Sequence, residues 1–521
     1  MKEKLVGKNK KIYNYQTSGF STIELMIAFA LICIVLVGAV NANFSAQYWG
    51  ITSQTANEAL YKAKTTLEDL RSLIKQDFYQ AVSSPLTVSK DPSDSADASC
   101  IAGGLCYYVQ KNITDLSSCS KYVEAKVEWQ VASYPTTTTK LFTYLTNTPE
   151  IIARGGDCVL NQPSGDWENN TPESIGSLPF APGKQFTGID VLHKKIYTTS
   201  NISPYFSIYD IPEAVGQNPV LVSSPTDIVK VLGVPVKLNA VDVEEDLATG
   251  RTYAFVAVNA TTKQLAVIDV TDPSTPTLVA QRDLQNVDPL GSSPQGWHLF
   301  VYGGRLYMTT RYTSGNEFHI FNISTPTIPT EIGNGFKLDR TVNDIIVRDQ
   351  KISGVTHRLV FLAADSDLKE LGILDVTGDT ITELNSVDLP GSQDGLSLSL
   401  LGNNLYFGRQ SNTGGPELYV FDVTNPESSL TPESEQGEVG ASITNIEVSG
   451  KYAYIETSKS GQEFQVWDSD YSTWTGTLNV GRFTSYSFPH LAPLGFDIDG
   501  DWIYAISQDL TTDKLGVIYT P

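Results

Sequence analysis

The stretch LAVIDVTDPSTP (residues 265–276) runs from a short apolar strand through an aspartate, Asp269, into a proline-containing corner. The same construction occurs in FSIYDI (206–211), FHIFNISTPTIP (318–329), LGILDVTGDTI (371–381), LYVFDVTNPES (418–428) and FQVWDSD (464–470). The polar residue ending each strand falls at Asp210, Asp269, Asn322, Asp375, Asp422 and Asp468, at intervals of 59, 53, 53, 47 and 46 residues. Periods of that length suit one four-stranded antiparallel blade per repeat. Upstream comes a strand, a tight turn and a second strand, clearest in LFVYGGRLYMTT, LSLLGNNLYFGR, IEVSGKYAYIET and FDIDGDWIYAIS. A last unit ends in LGVIYTP after only three strands, so residues near 177–180 are expected to supply the fourth and close a ring. The expectation for 172–521 is a β-propeller of seven blades, with six or eight as the alternatives.

The strand-ending aspartates read as structural. At a corner their carboxylates accept backbone N–H bonds, and Asn322 in the same slot keeps those bonds without the charge. The turn DIDGDW, with Asp497, Asp499 and Asp501, alternates acids as calcium ligands do. It occupies the hairpin slot of its sister repeats, however, and reads as a solvated turn, as does the acidic hairpin at 242–250. No metal or cofactor is expected.

Towards the N-terminus the character changes. TSGFSTIELMIAFALICIVLVGAV (17–40) is apolar enough to span a membrane over 20–42, and the lysines at 2, 4, 8, 10 and 11 keep the preceding end on the cytoplasmic side. Glu24 interrupts the run. A carboxylate there costs roughly 2.5–3.5 kcal/mol at mid-bilayer and less near the edge, so it calls for a partner. The first proline is Pro85, and a helix over 20–82 would extend roughly 95 Å. Its apolar positions Leu60, Ala63, Leu67, Leu70, Ile74 and Phe78 recur every three or four residues, as a packing face requires.

Residues 83–171 alternate instead. In KYVEAKVEWQV the side chains of Val123, Ala125, Val127, Trp129 and Val131 are expected on the buried face of a strand, and TKLFTYLT follows as its antiparallel neighbour. Four of the five cysteines lie here. They allow three pairings, and the shortest closures are Cys100 with Cys106 and Cys119 with Cys158.

The net charge is −22, and removing the leader's net +4 leaves −26 on the rest of the chain. Such a surface repels phosphate backbones, so nucleic acid is not an expected partner. Propellers leave loops free around the channel where the innermost strands begin. The residues read there are Asn239, Gln295, Trp297, His298, Asn343, Asp344, Gln393, Asp394, Asn445 and His490, with Asn239, Trp297, His298, Asp344, Asp394 and Asn445 the ligand-binding candidates. Asp344 with Asp394 is the one pairing that suggests acid chemistry on a polysaccharide. No GxSxG, HExxH, Walker, GxGxxG or CxxC pattern occurs, and the expectation is that the chain is not an enzyme.

The opening residues resemble the class III signal of type IV prepilins: a basic leader, Gly19, Phe20, then Ser21, Thr22, Ile23 and Glu24 before the apolar run. The resemblance implies a leader over 1–19 that prepilin peptidase removes, methylation of Phe20, and a Glu24 carboxylate paired with the terminal amine of a neighbouring pilin or pseudopilin subunit. The leader is longer than the shortest pilin leaders, and the helix lacks the mid-helix proline of many major pilins. The four-cysteine sheet resembles a minor pilin head, less specifically. The repeats resemble surface β-propellers with LVIVD repeats. Together these imply an α+β pilin-like part (leader 1–19, helix 20–82, disulfide-bonded sheet domain 83–171) followed by an all-β propeller. The implied place is the inner membrane before assembly and then an extracellular filament or the cell surface. The implied roles are a minor or tip pilin binding a cell-surface or glycan ligand, a pseudopilin that primes assembly, or a polysaccharide-processing propeller.

Overall fold

The computed structural model describes residues 22–79, 83–88, 100–101, 105–117, 119–130, 136–153, 165–179, 186–212, 217–225, 227–287, 295–311, 313–378, 380–411, 415–434, 436–487, 492–500, 502–508 and 514–520. A 55-residue helix, α1 (Thr22–Gln76), opens the described chain. Ala59, Ala63, Leu67, Leu70 and Ile74 form its buried stripe, whereas Leu60 is 45% exposed. The stripe therefore runs one residue earlier than expected at that end, with Ala59 taking the slot read for Leu60. Nearer the start, Met26, Ile27, Phe29, Leu31, Ile32, Ile34, Val35, Leu36, Val37, Val40 and Phe44 are all exposed. Among the described residues no helix is long and apolar enough to cross a membrane. Gly19 and Phe20 lie outside the described residues, as does the side chain of Glu24, so the span expected over 20–42 is not recovered as a unit.

Contacts divide the chain into two compact units: residues 1–65, 86–109 and 126–141, and residues 66–85, 110–125 and 142–521. Within the first, the Tyr107 hydroxyl donates to Thr55 O at 3.3 Å and to Glu58 Oε2 at 3.0 Å, and Trp129 Nε1 donates to Thr55 Oγ1 at 3.3 Å. Trp129 belongs to the strand Ser120–Gln130, which alternates strictly between buried and half-buried positions. Its buried positions include the expected Val123, Ala125 and Val127, and also Lys121, whose ammonium pairs with Asp115 and lies 4.8 Å from the Phe78 ring. The sheet order is Ser84–Val88, Leu105–Ser117, Ser120–Gln130, Thr137–Thr146, with Cys100–Ile101 also on Leu105–Ser117. Cys100 stands opposite Cys106 in that pairing. Cys119 is buried and disulfide-bonded, and Cys158 lies outside the described residues.

The second unit holds seven further sheets that follow one another along the chain, six of four strands and one of three, apart from a small hairpin (Lys230–Val231 with Val234–Pro235) between the first two. We number them as blades. Their inner strands are Phe186–Leu192, Leu238–Asp246, Gly296–Tyr302, Thr341–Ile352, Gly395–Leu401, Ile443–Ser449 and Ala492–Asp499. Blade 7 completes itself as expected. Its outer strand is Glu173–Pro179, antiparallel to Lys514–Tyr519 with Leu178 opposite Leu515. The core lies between successive blades: Val256, Ile268 and Ile208 pack in one cluster, Phe407, Phe421 and Phe361 in another. Trp167, just upstream of the closing strand, is fully buried and 5.5 Å from the Tyr454 ring.

Inter-blade bonds reinforce this packing. Carboxylates on inner strands accept backbone N–H groups of the next blade: Asp190 from Val243, Asp242 from Val301 at 2.7 Å, Asp344 from Leu398 at 2.7 Å, and Asp497 from Val191 at 2.6 Å. Ser399 Oγ does the same for Val448 N at 3.0 Å. Asp497 is therefore a correction to the solvated turn: it sits within the inner strand of blade 7 and ties that blade to blade 1. The corner aspartates do what their position suggests. Asp269, Asp375, Asp422 and Asn322 each accept the backbone N–H two residues on, at 2.8–3.0 Å.

The hairpins at the far ends of the inner strands meet the segments that follow the helix. Gly303 N donates to Ala153 O at 2.6 Å, Asn403 Nδ2 to Tyr79 O at 3.1 Å and Gly450 N to Leu116 O at 2.8 Å. The Tyr302 hydroxyl donates to buried Glu150 at 2.5 Å, and the Arg348 guanidinium lies 4.7 Å from the Tyr79 ring.

Candidate functional site

Each inner strand is irregular near its start. The register slips between Phe186 and Gly188, Leu238 and Ala240, Gly296 and Leu299, Val342 and Asp344, Gly395 and Ser397, Ile443 and Asn445, and Pro493 and Gly495. A bulge re-aims the side chains around it, and seven of them in a ring frame one cavity of about 410 Å³. In blade 3 the irregular step spans both Trp297 and His298, and both line the cavity. Gly296 is needed there, since a Cβ would lie 2.6 Å from Gln264 O and 2.4 Å from Met308 Cε.

Five of the six candidate residues, Asn239, Trp297, His298, Asp344 and Asn445, come together around this cavity. Asn343 lines it as well, Gln295 and Gln393 do not, and His490 lies outside the described residues. Asp394 is not in the lining either. It faces Asp365, and burial together with that neighbouring carboxylate holds its acid up at about 6. Of the two carboxylates that acid chemistry would pair, the cavity lining therefore holds Asp344 and not Asp394.

Several polar groups of the lining are already engaged. Asn239 Nδ2 donates to Gly296 O at 2.6 Å, Asn343 Nδ2 to Gly395 O at 2.8 Å and Asn445 Nδ2 to Phe496 O at 3.1 Å, each on the next blade. Thr187 Oγ1 donates to Leu238 O at 2.6 Å. Asp344 accepts from Ile345 N at 2.8 Å in addition to Leu398 N. His298 Nε2 stands 3.7 Å from Asp344 Oδ1, and its Nδ1 is buried without a hydrogen-bond partner. The two side chains keep 33% and 19% of their surface towards the cavity, which is itself walled by protein. That enclosure lowers His298 to about 4 and raises Asp344 to about 7, the latter against the pull of its two N–H donors. The Arg311 guanidinium lies 4.1 Å from the Trp297 ring and is not part of the lining. Among the described residues, no group of three or more His, Cys, Asp or Glu side chains is arranged to hold a metal ion.

Two features escaped the sequence reading. Asn201, Thr187 and Thr444 line the cavity from positions that carry no repeat signal. The other is a repeated acceptor, the residue immediately before the third strand: Gln264, Glu317, Glu370, Glu417 and Glu463 are all buried. Glu317 accepts Leu338 N at 2.8 Å, Glu370 accepts Leu389 N at 3.1 Å and Glu417 accepts Val439 N at 3.0 Å. Its signal is one residue upstream of the apolar motif quoted at the outset, in ELGIL, ELYVF and EFHIF.

The LVIVD repeat model matches residues 245–283 and 441–461. No curated protein matches the chain in sequence. Solved structures resemble its fold. One is in a crystal structure of the mitotic checkpoint complex, at 11% identity and a TM-score of 0.45 over 66% of this chain and 94% of that one. Another is the β-propeller domain of Cps50 (Swd1) from Myceliophteria thermophila, at 12% identity and 0.40 over 66% and 99%. A third is YCF48 bound to a D1 peptide, at 10% identity and 0.41 over 69% and 98%. The chain carries LVIVD repeats within a β-propeller of seven blades.

Proposed function

We propose that the chain is a type IV pilin-like subunit, minor or at the tip, that displays its propeller outside the cell and binds a surface ligand through the central cavity. The observation that carries this reading is the polarity of the propeller. Its hairpin face is tied to Tyr79, Leu116 and Glu150–Ala153, which continue from the helix, while the cavity opens among the strand starts at the opposite ends of the same inner strands. Support comes also from the prepilin-like Gly19, Phe20 and Glu24 and from the exposed apolar side chains at 26–44, a surface that needs lipid or neighbouring helices to cover it. A head this large would crowd a filament shaft, which favours the tip or sparse incorporation. A purely structural, assembly-priming role would leave the cavity without a task, and an acid pair of Asp344 with Asp394 finds no support in the lining, which holds Asp344 alone of the two.

Immunogold labelling of intact cells with an antibody to the propeller tests the proposal. Gold on filaments or their tips is the expected result. Label found only after the envelope is broken would overturn it.

A further inference from the structure

We infer that the central cavity is a site for a small primary ammonium ion, held by Asp344 and His298 beside the Trp297 indole. The inference rests on the cavity being the propeller's binding face and names the chemistry that face would recognise.

One amide N–H each of Asn239, Asn343 and Asn445 and the Thr187 hydroxyl go to carbonyl oxygens of the protein, and Thr444 Oγ1 turns to Glu456 O at 3.4 Å. No Lys or Arg lines the cavity. What the walls offer inward is the Asp344 carboxylate with spare lone pairs, the His298 Nε2 edge 3.7 Å from it, and the Trp297 indole. An ammonium group supplies three N–H donors and a positive charge; a neutral guest can donate to the same carboxylate but gains neither the ion pair nor the cation–π contact. A carboxylate or phosphate would face Asp344 with no cation in the lining to offset it, within a chain of net charge −22. At about 410 Å³ the space admits an amino sugar or a small amine.

The groups facing Asp344 make the site sensitive to pH. They are His298 from blade 3 and the N–H groups of Ile345 and Leu398; buried Glu456 lies behind Asn445, its register partner. With Asp344 raised to about 7 and His298 lowered to about 4, the empty cavity is close to neutral in neutral solution. A bound ammonium draws the proton off Asp344. Affinity should therefore rise with pH, by about tenfold between pH 6 and pH 8.

The full chain, purified in detergent, is titrated calorimetrically with ethanolamine and with glucosamine. Each is set against a neutral counterpart of like shape, 1-propanol and glucose. Binding of either amine with at least tenfold preference over its counterpart, growing from pH 6 to pH 8 for ethanolamine, is expected; the better of the two tells a headgroup-like amine from an amino sugar. Asp344→Asn should abolish the preference and Trp297→Leu should weaken binding with the melting temperature unchanged. Neutral counterparts that bind as well as the amines, an affinity independent of pH, or no binding at all would overturn the inference. If Asp344→Asn fails to fold, the counterpart and pH comparisons on the unaltered chain still decide. Failed titrations alongside gold-labelled filaments would remove the ammonium site alone, whereas unlabelled filaments would remove the display reading.

Discussion

Asp422 carries two jobs in one carboxylate oxygen: it accepts Thr424 N at 2.8 Å and Thr424 Oγ1 at 2.5 Å. Removing such an acceptor strands an amide at a tight corner, so Asp422→Ala should lower unfolding stability by about 1 kcal/mol. Asp422→Asn should come close to neutral, because blade 3 already runs on Asn322; denaturant unfolding of both variants checks this. Glu456 makes an opposite case. It is fully buried, and burial raises its carboxyl well above the ordinary range. The unfolded chain gives up that proton near pH 4.3 while the folded chain holds it, so folding grows less favourable as pH climbs above that value. Glu456→Gln should match the native chain in stability at pH 4 and exceed it by about 1 kcal/mol or more at pH 8. At the cavity the sequence could say which residues gather but not what they do. Asn239, Asp344 and Asn445 were readable as polar residues at strand starts, yet their bonds to the next blade depend on a register that only packing sets. Asp344→Ala should accordingly cost about 1–3 kcal/mol by leaving Leu398 N without its partner, and Trp297→Ala should cost far less.

At the level of elements, the repeat corner was legible because a strand ending in Asp or Asn before a turn recurs at blade-sized intervals, and the closing strand was legible as a gap in that rhythm. The bulges were not. A bulge adds one residue to one strand and so slips the alternation by one, but the slip falls at strand starts where polar residues and glycine already interrupt the apolar pattern, and in blade 3 it is the step from Gly296 to Leu299 that turns Trp297 and His298 inward. Likewise Leu60 and Ala59 both satisfy a three-to-four spacing, and only the packed helix distinguishes them. The closing strand leads to a direct expectation. A fragment beginning at residue 165 keeps Trp167 and the strand Glu173–Pro179, and should melt cooperatively. One beginning at 172 loses the indole that fills the core beside Tyr454 and Phe464, and should melt at least several degrees lower, since truncating a buried tryptophan costs about 3–5 kcal/mol. One beginning at 180 leaves the edge of Lys514–Tyr519 unpaired and should aggregate. Calorimetry on the three fragments orders them.

At the scale of the whole molecule, the helix carries an uncovered apolar stretch, and the propeller's cavity opens at the ends of the inner strands opposite its hairpins. Membrane insertion and filament entry hang on the chemistry of the first residues: an uncut leader would leave Glu24 without the neighbouring amine that its position asks for. Mass spectrometry of the protein isolated from its native cells reads that chemistry directly. Processing as a prepilin predicts a chain that begins at Phe20 with one methyl group on its terminal nitrogen. A chain that still carries residues 1–19 would contradict it.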